Sequence, residues 1–77
     1  MISKDRYLQI KKSIRYMNKN KVISLCSESG LDELETNIVL SLQNGKSRVS
    51  TCIEYGMSTQ MYTNTLKRAI SKLSDSI

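Results

Sequence analysis

A chain of 77 residues without proline, histidine, tryptophan or phenylalanine makes one domain near the lower size limit of a self-supporting core, built from Leu, Ile, Val, Met and Tyr. No apolar run approaches the roughly 20 residues of a membrane span, and the alternation of charge with apolar residues from Lys4 to Lys12 argues against a secretory signal, so a cytoplasmic protein is expected. The net charge of +5 sits entirely in residues 1–30, where Lys4, Arg6, Lys11, Lys12, Arg15, Lys19 and Lys21 oppose Asp5 and Glu28; residues 31–77 sum to zero.

The absence of proline and the presence of only three glycines favour an all-α chain, a small bundle of four to five helices. Ser3 is placed to cap the first. Tyr7, Ile10, Ile14 and Met17 recur at helical spacing as its buried stripe. The stripe breaks at Asn18-Lys19-Asn20-Lys21, and Val22, Ile23, Leu25 and Cys26 resume out of phase. This predicts a short second helix ending near Ser29-Gly30, with one continuous bent helix as the alternative. Asp32 and Glu35 have the spacing of a capping box. Leu31, Leu34, Ile38, Val39 and Leu42 give the third helix its inner face, and Asn44-Gly45 ends it.

Ser47 to Tyr55 then reads as a short helix, Gly56-Met57-Ser58 as a tight turn, and Thr59 to Leu73 as a longer helix. Gly56 stands where the chain leaves one helix with φ > 0. Cys52 is small enough to let the two helices approach. Tyr55, Met57, Tyr62 and Leu66 are the expected inner contacts, and Ser58 the expected N-cap. Tyr62, Leu66, Ala69 and Leu73 form the core stripe of the last helix. Thr59, Gln60, Thr63, Asn64 and Lys67 fall on its other face. Residues 74–77 are expected to fray.

Together these residues form a helix-turn-helix. Leu31 to Leu73 resembles the helix-turn-helix domain shared by LuxR-type regulators and region 4 of bacterial sigma factors. The resemblance rests on Leu31, Glu35, Ile38-Val39, Leu42, Gly45, Ser47, Gly56-Met57-Ser58, Leu66 and Leu73, without a gap. The ending Leu66 to Leu73 looks closer to sigma region 4. The chain departs from the family at Ser50, Thr51 and Cys52, where a glutamate, a branched apolar residue and an alanine are usual. Residues 74–77 are too few for the further, often dimerising helix of LuxR-type domains. On this division, residues 1–30 are basic support helices and 31–73 the regulator-like core. The resemblance implies a bacterial or phage source and a DNA-binding transcription regulator.

In that docking mode the second helix of the motif enters the major groove while the first lies across the backbone. Thr59, Gln60, Thr63, Asn64 and Lys67 are then the candidate base readers. Gln60 and Asn64 are suited to adenine, and Lys67 to guanine or a phosphate. Lys46, Ser47, Arg48, Ser58 and Arg68 are the candidate phosphate contacts. The competing reading of all these residues is a solvated helix face. Within the motif Lys46, Arg48, Lys67, Arg68 and Lys72 are expected to face only Glu54, since Asp32, Glu33 and Glu35 lie at a helix start, where the dipole favours them. Val49 and Ile53 are apolar where the family is usually polar, and share a face. They are expected to be covered by the N-terminal helices or by a second subunit.

The basic N-terminal helix has three readings: a support helix with its lysines in water, an auxiliary phosphate contact, or a contact with an anionic membrane or an acidic protein. Cys26 and Cys52 form no CxxC pair, which with the lack of histidine argues against zinc, and free thiols are expected. No base partners a nucleophile, so the chain reads as a non-enzyme without cofactor. The expected partners are double-stranded DNA and a second copy of the chain. The alternative is a stand-alone sigma region 4-like module that binds RNA polymerase or another regulator.

Overall fold

The computed structural model describes residues 2–76. Those residues form five α-helices and no strand: α1 (Lys4–Tyr16), α2 (Lys19–Glu28), α3 (Glu33–Gln43), α4 (Arg48–Tyr55) and α5 (Thr59–Leu73). Each begins at a side-chain cap. Ser3, Asn18, Asp32, Ser47 and Ser58 are all extended, and each side-chain oxygen accepts the backbone N–H three residues on. Such a bond satisfies a donor that the first helical turn leaves without a partner. At α3 the box is complete, because the Glu35 carboxylate also accepts from the Asp32 N–H at 3.0 Å. Ser47 is therefore the cap of α4 rather than its first residue. The break between α1 and α2 is real: Met17 leaves the helix extended, and its carbonyl accepts from Gln43 Nε2 at 3.0 Å.

α3 is the central helix, with α1, α2 and α5 packed around it, while α4 packs chiefly on α5. One apolar cluster draws Ile10 and Ile14 from α1, Val22 and Cys26 from α2, Ile38, Val39 and Leu42 from α3, and Tyr62, Leu66, Ala69, Ile70 and Leu73 from α5. The predicted stripe of α5 is thus buried, widened by Ile70 and Thr65. Tyr7, Met17, Leu31 and Leu34 are half-buried against the cluster, and Ile23 is exposed.

α4 contributes least. Only Thr51 is fully buried on it, and the hydroxyl of Thr51 donates to the Ser47 carbonyl at 2.9 Å, so a polar residue at this core position carries no unsatisfied group. Cys52 and Met57 are half-buried against the cluster. Tyr55 is not the inner contact expected of it: it lies at the exposed end of the helix. Gly56 is left-handed (φ 61°, ψ 38°), and the Met57 N–H donates to the Cys52 carbonyl at 3.0 Å. Glycine adopts this conformation without a Cβ penalty, and the turn to Ser58 follows.

Residues 74–76 turn back onto the bundle through hydrogen bonds. Arg6 donates to the Ser74 carbonyl, and the Ser29 and Ser76 hydroxyls are 2.8 Å apart; Ile77 lies outside the described residues. Both cysteines are free thiols, Cys26 buried and Cys52 half-buried. No helix among the described residues is long and apolar enough to cross a membrane.

Candidate nucleic-acid interface

The caps at Ser47 and Ser58 and the left-handed Gly56 set α4 and α5 as two short rods joined by a three-residue turn. With Tyr62, Leu66, Ala69 and Leu73 turned into the core, the opposite side of α5 is left to solvent. Gln60, Asn64, Lys67 and Ser71 are exposed there, at the four, three and four spacing that lines up one helix face. Thr59 is exposed at the first turn. Thr63 is half-buried at the edge, and its hydroxyl donates to the Thr59 carbonyl at 3.0 Å. That hydroxyl is left as an acceptor, with the methyl group as its other contact surface. Met61, half-exposed, adds an apolar side chain beside Gln60 and Asn64 around a shallow hollow that also includes Ser58 and Arg68. The apolar/polar pattern of the sequence left Met61 unassigned.

The expected phosphate contacts are not equivalent. Ser47 and Ser58 spend an acceptor on their caps, which leaves each hydroxyl proton to donate outward. Lys46 is ion-paired with Glu54. Arg68 lies 3.8 Å from Glu35, and Lys72 Nζ lies 2.7 Å from the same carboxylate. The expectation that Glu54 alone opposes the motif's cations is therefore wrong. Glu35 is not only a capping acid on a helix start: its side chain is 1 % exposed and engages α5. Of the five motif cations, Arg48 and Lys67 have no ion-pair partner among the described residues.

Val49 and Ile53 are 63 % and 77 % exposed, so the N-terminal helices do not cover them. The reason is topological. α1 lies across α3 and α5, and α4 turns Thr51, not Val49 or Ile53, toward the core.

A cleft of about 520 Å³ opens where α1, the start of α4 and α5 meet. Its cations come from two distant parts of the chain: Lys11 and Arg15 from α1, Lys46 and Arg48 from the approach to α4. Tyr62 lies on its wall and Thr63 on the rim it shares with the exposed face of α5. Burial pushes the Tyr62 phenol upward, and the Cys52 thiol adds to this; Arg48 and Arg15 both pull it back down. Both guanidinium groups line the cleft on whose wall the phenol lies. Lys11 Nζ stands 5.6 Å over the Tyr7 ring, a cation–π contact that holds the chain without neutralising it.

Polar donors on one face of a capped helix can pair with base edges, and unpaired cations at its flank can hold phosphates. No group of three or more metal-ligating side chains comes together among the described residues. No protein-family profile, curated protein or solved structure matches the chain.

Proposed function

We propose that this protein is a small DNA-binding transcription regulator whose α5 enters the major groove of duplex DNA. The observation that carries the reading is the pair α4–α5 itself: two capped helices about a left-handed Gly56, with Gln60, Asn64 and Lys67 exposed on one ridge of the second. The motif's resemblance to LuxR-type regulators and sigma region 4 supports the same reading. Thr59, Gln60, Thr63, Asn64 and Lys67 read bases, and Arg48 and the Ser47 and Ser58 hydroxyls hold phosphates. One such helix reads only a few base pairs, so a homodimer on a two-part site in a bacterial or phage cytoplasm completes the picture. No catalytic role is assigned.

The test is selection from a randomised duplex pool, followed by titration of the enriched duplex. Enrichment of one motif, lost when Gln60 and Asn64 are both changed to alanine, is the expected result. An unenriched pool removes the base-reading roles, and a wild type that binds no duplex at all sinks the proposal.

The exposure of Val49 and Ile53 favours one second reading, a protein-binding module acting on RNA polymerase or another regulator. Salt separates the two. DNA binding weakens steeply as salt rises, because phosphate contacts release counterions, whereas an apolar protein contact changes little.

A further inference from the structure

We propose that α1 is part of the DNA-binding surface, with Lys11 and Arg15 holding backbone phosphates of the strand that runs past the start of α4. The proposal rests on the duplex-DNA reading above and extends it to an element outside the helix-turn-helix.

Four observations carry it. Lys11 and Arg15 are one helical turn apart on α1 and line the same cleft as Arg48. No carboxylate lines that cleft, and Glu54, the acid ion-paired in this region, is engaged by Lys46. Arg15, Arg48 and Tyr62 line this one cleft, and both guanidinium groups pull the Tyr62 phenol down, so folding gathers two like charges from distant parts of the chain at one place. Thr63 belongs both to the cleft rim and to the α5 edge, which makes the cleft continuous with the face that enters the groove.

Gathering like charges opposes folding, by an amount that a solvated surface could avoid by spreading them. A polyanion laid through the cleft reverses the sign of that term. A phosphodiester backbone has the required chemistry, since its charges recur along a strand and are read by lysine and arginine without base identity. The charge asymmetry of the sequence then acquires a location. Two of the seven cations of residues 1–30 flank the motif, while Lys19 and Lys21 open α2 and line no part of the cleft.

The experiment compares wild type, Lys11→Ala/Arg15→Ala and Lys19→Ala/Lys21→Ala, two variants with the same net charge. Each is titrated with the selected duplex, or with a mixed-sequence duplex if selection enriches none, between about 50 and 200 mM salt. The first variant is expected to lower the slope of log K against log salt by about 1.8, at about 0.9 per phosphate lost. Extrapolated from 1 M salt, that is about thirty-fold weaker binding at physiological salt. Ethylation interference is expected to show phosphates that matter to wild type and no longer matter to this variant. The Lys19/Lys21 variant is expected to keep wild-type slope and interference. Should Lys11→Ala/Arg15→Ala fail to fold by circular dichroism, Lys11→Gln/Arg15→Gln takes its place. Equal slopes for the two charge-matched variants would overturn the role of α1 and leave the DNA reading standing. A wild type that binds no duplex would overturn both, and binding of a polyglutamate probe that needs Lys11 and Arg15 would then assign the cleft to an acidic protein.

Discussion

Lys72, near the end of α5, donates to Glu35 Oε1 at 2.7 Å across 37 residues of sequence, and the same oxygen accepts the Asp32 N–H that closes the cap of α3. One buried carboxylate thus fixes the start of the central helix and the end of the candidate recognition helix. Removing it takes away the partner of the Asp32 N–H and opens a space at the α3–α5 contact. Lys72 is 42 % exposed and regains water, so the loss is less than for a fully buried pair. Glu35→Ala is expected to destabilise by about 2–3 kcal/mol, and Lys72→Met by about 1–3 kcal/mol, since it leaves the buried carboxylate with only the more distant Arg68 as a cation. Urea unfolding of both and of the double variant measures the coupling. A Glu35→Ala loss below about 0.5 kcal/mol, the range of ordinary surface changes, would refute this role.

The ion pairs also rank the cations of the proposed DNA surface. Arg48 and Lys67 are unpaired among the described residues, whereas Lys46 is held by Glu54 and Arg68 stands near Glu35. A cation already neutralised releases fewer counterions on meeting a phosphate. Arg48→Ala is expected to reduce the salt slope of DNA binding by about 0.9, and Lys46→Ala and Arg68→Ala by less than half of that, whereas Lys67→Ala, at a base reader, is expected to relax preference for the selected duplex. Titration at several salt concentrations gives the order directly. Equal losses at Lys46 and Arg48 would show that the Glu54 pair opens on binding.

The caps at Ser3, Asp32 and Ser58, the Gly56 turn and the α5 stripe were legible because each is a local relation, decided within a turn of helix. Two features were not. Nothing near Glu35 in sequence announces Lys72, so the residue read as a capping acid, which it also is. Val49 and Ile53 read as covered by the N-terminal helices or by a second subunit, and the first of these does not hold. Their exposure follows from where α1 crosses the bundle, a long-range choice that no window of sequence contains. The site divides in the same way. The polar ridge of α5 followed from the period of its core stripe, whereas the meeting of Lys11 and Arg15 with Arg48 required the tertiary fold.

Three weak acids, Tyr62 and Cys26 buried and Tyr7 half-buried, predict the response to alkali. Burial is the main cause of the upward shifts at Tyr7 and Tyr62, and also at Cys26, where a hydrogen bond to Thr36 opposes it. Each keeps its proton in the folded state to a higher pH than in the unfolded chain, whose reference values are 9.0 for the thiol and 10.0 for the phenols. Above those values the native state binds more protons than the unfolded one, so stability falls as pH rises. Below about pH 9 these groups contribute no slope, and the chain has no histidine to add one near neutrality. Thermal melts are expected to decline from about pH 9 upward, and Tyr62→Phe to decline less steeply above pH 10 than wild type. Identical slopes would show that the folded state does not protect the Tyr62 proton.

Val49 and Ile53 decide whether the α4 face has a partner. At 63 % and 77 % exposure neither supports the isolated fold, so Val49→Ser/Ile53→Gln is expected to change stability by no more than about 0.5 kcal/mol per site. Covering what remains exposed of both side chains in each of two copies yields about 4–8 kcal/mol, at about 1.5–3 kcal/mol per fully exposed side chain. The loss of translational and rotational freedom on association consumes about 4–15 kcal/mol. A homodimer through this pair alone is therefore weak, and its detection by sedimentation equilibrium requires concentrations above the micromolar range. A concentration-dependent rise in mass that Val49→Ser/Ile53→Gln abolishes would place the dimer contact on α4. A wild type that stays monomeric over the same range, with DNA affinity unchanged by the substitutions, would remove α4 from the dimer proposal and leave its apolar face to a different protein.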